Sequence, residues 1–126
     1  MAKTTSLVLG IVFVLVAVLG MVGTPLIGSD EGALFHTNTA HDVVHLVIGL
    51  VFLAVAWFAV DKAALALKVV GVVYLLVAVL GFAMTSPLLG FIEVNSADNW
   101  LHVVLGVVIL WLGVSAGKKS DAAPMA

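Results

Sequence analysis

Cysteine is absent from this 126-residue chain. That excludes disulfides, thiolate metal ligands and a cysteine nucleophile. Charge is scarce as well, with five basic and seven acidic residues, or 10% of the chain, where a soluble domain carries roughly 25%. Too little charge is present to clothe a soluble surface, and a disordered chain would be far more polar. The net charge of −2 offers no basic footprint for nucleic acid. No G-x-S-x-G elbow, Walker loop, H-E-x-x-H or pair of catalytic carboxylates occurs, so no enzyme is expected.

What is present is apolar: 63% of residues are hydrophobic and the mean hydropathy is +1.30. Four uncharged runs stand out, between Lys3 and Asp30, over Val43–Val60, over Val69–Ile92 and over Asn99–Gly117. A helix needs about 20 residues, within a range of roughly 17–25, to cross a bilayer core of ~30 Å. The apolar residues run on without alternating, which points to helices and not to barrel strands. The first run is expected to be retained, because it exceeds a signal-peptide core of about 7–15 residues and no A-x-A site follows it. Pro25 and Pro87 fall past the first helix of each half and are expected to end it.

The charges sort by position. Lys3, Lys62, Lys68, Lys118 and Lys119 fall at the start, in the middle loop and at the end, whereas Asp30, Glu31, Asp42, Glu93 and Asp98 fall in the other two loops. Four crossings put every lysine on one side, so the positive-inside rule predicts a multi-pass plasma-membrane protein with cytoplasmic termini. Residues 118–126 are expected to form a short disordered cytoplasmic tail.

Internal similarity points to a tandem duplication. Val8–Gly20 aligns with Val69–Gly81 at nine of thirteen positions without a gap. Thr24-Pro25-Leu26-Ile27-Gly28 mirrors Ser86-Pro87-Leu88-Leu89-Gly90. Asn38-Thr39-Ala40-His41-Asp42-Val43-Val44-His45 mirrors Asn95-Ser96-Ala97-Asp98-Asn99-Trp100-Leu101-His102, and Gly49 then pairs with Gly106. The predicted fold is all-α: a polytopic membrane four-helix bundle made of two tandem hairpins, residues 6–62 and 63–117, with pseudo-two-fold symmetry about the membrane normal.

The polar residues cluster on the side away from the lysines. Thr39 and Ser96 are the expected helix caps, with Asp42 and Asn99 reaching back three residues later. His36 is expected to be solvated in its loop. His45 and His102 occupy matching positions and are open to three readings. They can hydrogen-bond across helices, His45 to Asn99 or Asp98 and His102 to Asp42, as polar glue worth ~0.6 kcal/mol. With His41 and Asp98 they can hold a divalent metal such as Zn²⁺. Or they can ligate haem b as a bis-histidine pair, with Gly49 and Gly106 leaving room for the ring, although glycine equally serves close helix packing. No cofactor is expected on the first reading. Trp57, Trp100 and Trp111 are expected to be interfacial anchors.

The N-x-A-x-x-x-x-H-x-x-x-G stretches carry a resemblance. His45 with Gly49, and Asp98-Asn99-Trp100-Leu101-His102 with Gly106, make the chain resemble the bacterial membrane proteins of domain-of-unknown-function family 4383 over most of residues 6–117. The resemblance implies a small four-helix membrane protein and no particular activity. The leading expectation is a structural or accessory component whose surroundings are the lipid bilayer and a homo-oligomer or larger complex. A small proton-coupled transporter is disfavoured, because all seven acids are expected outside the spans.

Overall fold

The computed structural model describes residues 1–121 and contains four long helices. In chain order they are α1 (Ala2–Val22), α2 (Thr39–Phe58), α3 (Ala63–Ala83) and α4 (Ser96–Asp121). All four are long and apolar enough to cross a membrane, which makes the chain an all-α, multi-pass membrane protein. Burying the backbone hydrogen bonds inside each helix is what allows so apolar a sequence to sit in lipid. Helix α4 runs on through residues 118–121, which were expected to begin the tail, while 122–126 lie outside the described residues.

α1 lies along α2, and α3 along α4, while the backbones of the two hairpins approach one another less closely. Glycine sets these close pairings. A Cβ on Gly49 would stand 2.9 Å from the Val14 backbone nitrogen and 3.0 Å from the Gly10 carbonyl, and one on Gly71 would stand 2.6 Å from the Leu110 nitrogen. Only hydrogen fits at such contacts, and small residues are how membrane helices approach closely. Gly106 likewise faces Leu75. Gly49 and Gly106 are thus spent on helix packing against α1 and α3.

The buried registers recur between hairpins. Ser6, Gly10, Phe13 and Ala17 are buried in α1, and Leu67, Gly71, Tyr74 and Ala78 in α3. His41, Asp42, His45, Gly49, Phe52 and Ala56 are buried in α2, and Asp98, Asn99, His102, Gly106, Ile109 and Gly113 in α4. Phe13, Phe52, Leu67, Tyr74 and Ile109 form the core. The remaining faces expose Val, Leu and Ile, from Val8 and Leu15 on α1 to Val104 and Val108 on α4. Trp57, Trp100 and Trp111 also point outward, at 61–70% exposure.

The loops are less alike. α1 ends at Val22, where Gly23 turns left-handed (φ 81°) and its N–H bonds to the Leu19 carbonyl, two residues before Pro25. The first loop then folds into two short parallel strands, β1 (Ile27–Gly28) and β2 (Phe35–His36). The second loop carries an antiparallel bridge between Leu88 and Ile92. Ile27 is buried in the first loop and Leu88 in the second, whereas Leu89, aligned with Ile27, is exposed, so burial does not follow the T-P-L-I-G register read from the sequence.

Candidate functional site

The loop end of the bundle holds the polar cluster. The caps that start its helices sit one residue earlier than expected. Asn38 Oδ1 accepts from the His41 N–H (3.0 Å), and Asn95 Oδ1 accepts from the Asp98 N–H (2.9 Å). Asp98 Oδ2 in turn accepts from the Asn95 N–H (2.8 Å), closing a reciprocal capping box. Asparagine wins the cap over the following Thr39 or Ser96 because its second group is also needed. Asn38 Nδ2 donates to the Phe91 carbonyl (2.8 Å), and Asn95 Nδ2 donates to the Leu34 carbonyl (2.9 Å). Each asparagine thereby caps its own helix and ties it to the other hairpin's loop.

Asp42 and Asp98 therefore lie within the first turns of their helices, 2% and 3% exposed, and not outside the spans as expected. Asp42 lies against Gly20, and Asn99 lies against Gly81 at the matching place. Asn99 Nδ2 donates to the Gly81 carbonyl (3.0 Å). The interhelical bonds expected for the histidines are not formed. Asn99 is engaged with Gly81 and Asp98 with its own cap, and the Nδ1 atoms of His45 and His102 have no hydrogen-bond partner among the described residues.

Instead the histidines gather with one another. One ligand atom from each of His41, His45 and His102 lies within 4.8 Å of the other two. All three residues are buried. The His41 and His45 rings are 4.6 Å apart and those of His45 and His102 6.4 Å apart, centre to centre. His41 Nδ1 meets the Glu93 carbonyl at 2.6 Å. A carbonyl only accepts, so Nδ1 carries the proton and Nε2 presents its lone pair. Asp98, expected as a fourth ligand, is not in the group, because its cap holds its carboxylate toward Asn95.

Two side chains were missing from the sequence reading of this site. Tyr74 stacks parallel to His45 (6.4 Å, 14°) and stands edge-on to His102 (5.2 Å). Phe13 meets both His45 and Tyr74 edge-on. The signal for Tyr74 was available: it is the single tyrosine of the chain, in mid-helix, opposite Phe13 in the repeat alignment. His36 is also more than a solvated loop residue, since its Nε2 meets Glu93 Oε2 at 2.7 Å. The rings of His41 and Tyr74 stand on the flanks of the His45–His102 pair.

Beside the cluster, a cavity of about 190 Å³ opens between α1 and α4 under the first loop. Leu9, Val12, Phe13 and Val16 line it together with His45, Asp98, His102 and Thr37, and nearly all of its exposed lining is apolar.

The sequence model of a family described as Domain of unknown function (DUF4383) matches residues 3–115. The chain belongs to the DUF4383 family. No curated protein and no solved structure matches it. As a DUF4383 protein the chain inherits no activity from the family description.

Proposed function

We propose that this DUF4383 protein is a structural or accessory component of the bacterial plasma membrane, acting by lateral contact with other membrane chains or with further copies of itself. The observation that carries this reading is the distribution of side chains. Valine, leucine and isoleucine cover the outside of all four helices, and the buried polar groups other than Ser6 are gathered at the loop end. Apolar flanks of this kind are the surface on which membrane helices associate, through packing instead of water-driven burial.

Orientation follows from charge. Ser6 Oγ donates to the Phe52 carbonyl, so the start of α1 lies beside the end of α2, and Lys68 lies beside Gly113 and Gly117 of α4. The lysine-bearing segments thus share one end of the bundle, which on the positive-inside rule faces the cytoplasm together with both termini. The recurring buried registers support a near-two-fold relation of the hairpins about the membrane normal. Single cysteines introduced as Val44→Cys and Leu101→Cys should then react alike with an impermeant reagent added from outside.

The accessory reading is tested by photo-crosslinking in native membranes. Probes at the exposed Leu15 and Leu76 should yield discrete protein adducts, and probes at the buried Ala17 and Ala78 should not. Lipid adducts alone from every exposed position would show that the chain works without protein partners.

A further inference from the structure

We propose that His41, His45 and His102 form a divalent-metal site, Zn²⁺ foremost, that staples the two hairpins together and opens its fourth coordination position to the cavity between α1 and α4. The site does not rest on the accessory reading.

Four observations carry it. First, the ligand atoms already converge within 4.8 Å. The point equidistant from three atoms so spaced is about 2.8 Å from each, so closing to the ~2.0–2.1 Å of a zinc–imidazole bond needs about 0.7 Å of inward movement per ring. Second, His41 is prepared as a ligand. Its Nδ1–H is held by the Glu93 carbonyl (2.6 Å), the kind of partner that fixes tautomer and orientation in metal-binding histidines. Third, the Nδ1 atoms of His45 and His102 are buried without a protein partner. A buried polar nitrogen without a partner is costly, and a cation bound to one ring nitrogen, with a bridging water on the other, would remove that cost. Fourth, the backbones of the two hairpins approach one another less closely than the helices within each hairpin do, and the three ligands come from both of them, two from α2 and one from α4.

The donor set selects the class of ion. Three imidazoles and no thiolate suit Zn²⁺ and the other nitrogen-seeking divalent metals, and do not suit Mg²⁺ or Ca²⁺, which take oxygen. Three protein nitrogens leave a tetrahedral ion one open position. The cavity of about 190 Å³ bordered by His45 and His102 has room for a water or a small ligand there. Asp98 borders the same cavity, and its carboxylate offsets part of the ion's charge in a low-dielectric setting.

The test uses the full chain in detergent, stripped with a chelator and titrated with Zn²⁺ or Co²⁺ alone. One equivalent should bind. The Co²⁺ form should show the visible absorption of a four-coordinate, nitrogen-rich site. His41→Ala, His45→Ala and His102→Ala should each weaken binding at least about tenfold, whereas His36→Ala should leave it unchanged. In wild type, Zn²⁺ should raise the unfolding temperature and chelator should lower it again, a readout that does not depend on whether a variant folds. No bound equivalent, or binding that survives in the His45→Ala/His102→Ala double variant, overturns the proposal. So does an unfolding temperature indifferent to both Zn²⁺ and chelator. None of these results touches the crosslinking test of the accessory reading.

Discussion

At their loop ends the two hairpins use one scaffold with different side chains. Asn38 and Asn95 cap α2 and α4 and reach across to each other's loops. Gly20 faces Asp42 where Gly81 faces Asn99. Three residues after the asparagine, however, the second hairpin has Asp98 and the first has His41. Asp98 completes its own capping box. The His41 imidazole instead gives its Nδ1–H to the Glu93 carbonyl of the other loop and joins His45 and His102. A second difference sits one layer below, where Phe13 is matched by Tyr74. The difference between His41 and Asp98 turns a matched pair of histidines into an asymmetric three-histidine cluster.

The comparison breaks or holds most visibly at the interhelical glycines. Gly49→Leu and Gly106→Leu should each destabilise by about 1–3 kcal/mol or more, since the nearest atoms include partner backbone that cannot move aside. Detergent-denaturant unfolding followed by circular dichroism should find the two costs alike, and a large inequality would mean that the hairpins are not mechanically equivalent.

The ring pair offers a sharper contrast. The Tyr74 hydroxyl is buried with no hydrogen-bond partner among the described residues. Tyr74→Phe should therefore be neutral or slightly stabilising, while Phe13→Tyr should cost about 1–3 kcal/mol by burying a hydroxyl in the matching place. Equal effects from the two exchanges would show that the sites do not differ as described.

Caps come next. Asn38→Ala and Asn95→Ala should each cost about 0.5–2 kcal/mol, and each should loosen the opposite loop as well as its own helix. Hydrogen exchange at Phe91 and Glu93 for the first variant, and at Leu34 and Phe35 for the second, reads that cross-effect.

The smallest effect is at the rim. The His36–Glu93 pair, 2.7 Å apart with Glu93 side chain 39% exposed, should contribute about 0.2–1 kcal/mol. Glu93→Gln should cost no more than that, and less still at high salt.

The helices were legible because lipid demands long uncharged runs, and the lysine positions were enough to show which ends lie together. The recurrence of Gly10 at Gly71 and of Gly49 at Gly106 was plain in the chain, and so was the list of histidines. The first-turn burial of Asp42 and Asp98 was not, because charge alone places an acid outside a span. A helix whose loop folds back over it buries its first turn all the same. The caps were misplaced by one residue, since Thr39 and Ser96 cap as well as asparagine locally, and only the reach to the opposite loop favours Asn38 and Asn95.

The sequence by itself determined the number of membrane helices, their pairing into two hairpins and the family, because apolar length, glycine spacing and a few polar positions are local properties of the chain. Only the tertiary structure decided that His41 joins His45 and His102 while Asp98 does not. That outcome depends on where the Glu93 carbonyl lies when the second loop crosses over α2, a contact between residues 52 positions apart. No helical spacing contains that distance, so no reading of the spacing alone could have supplied it.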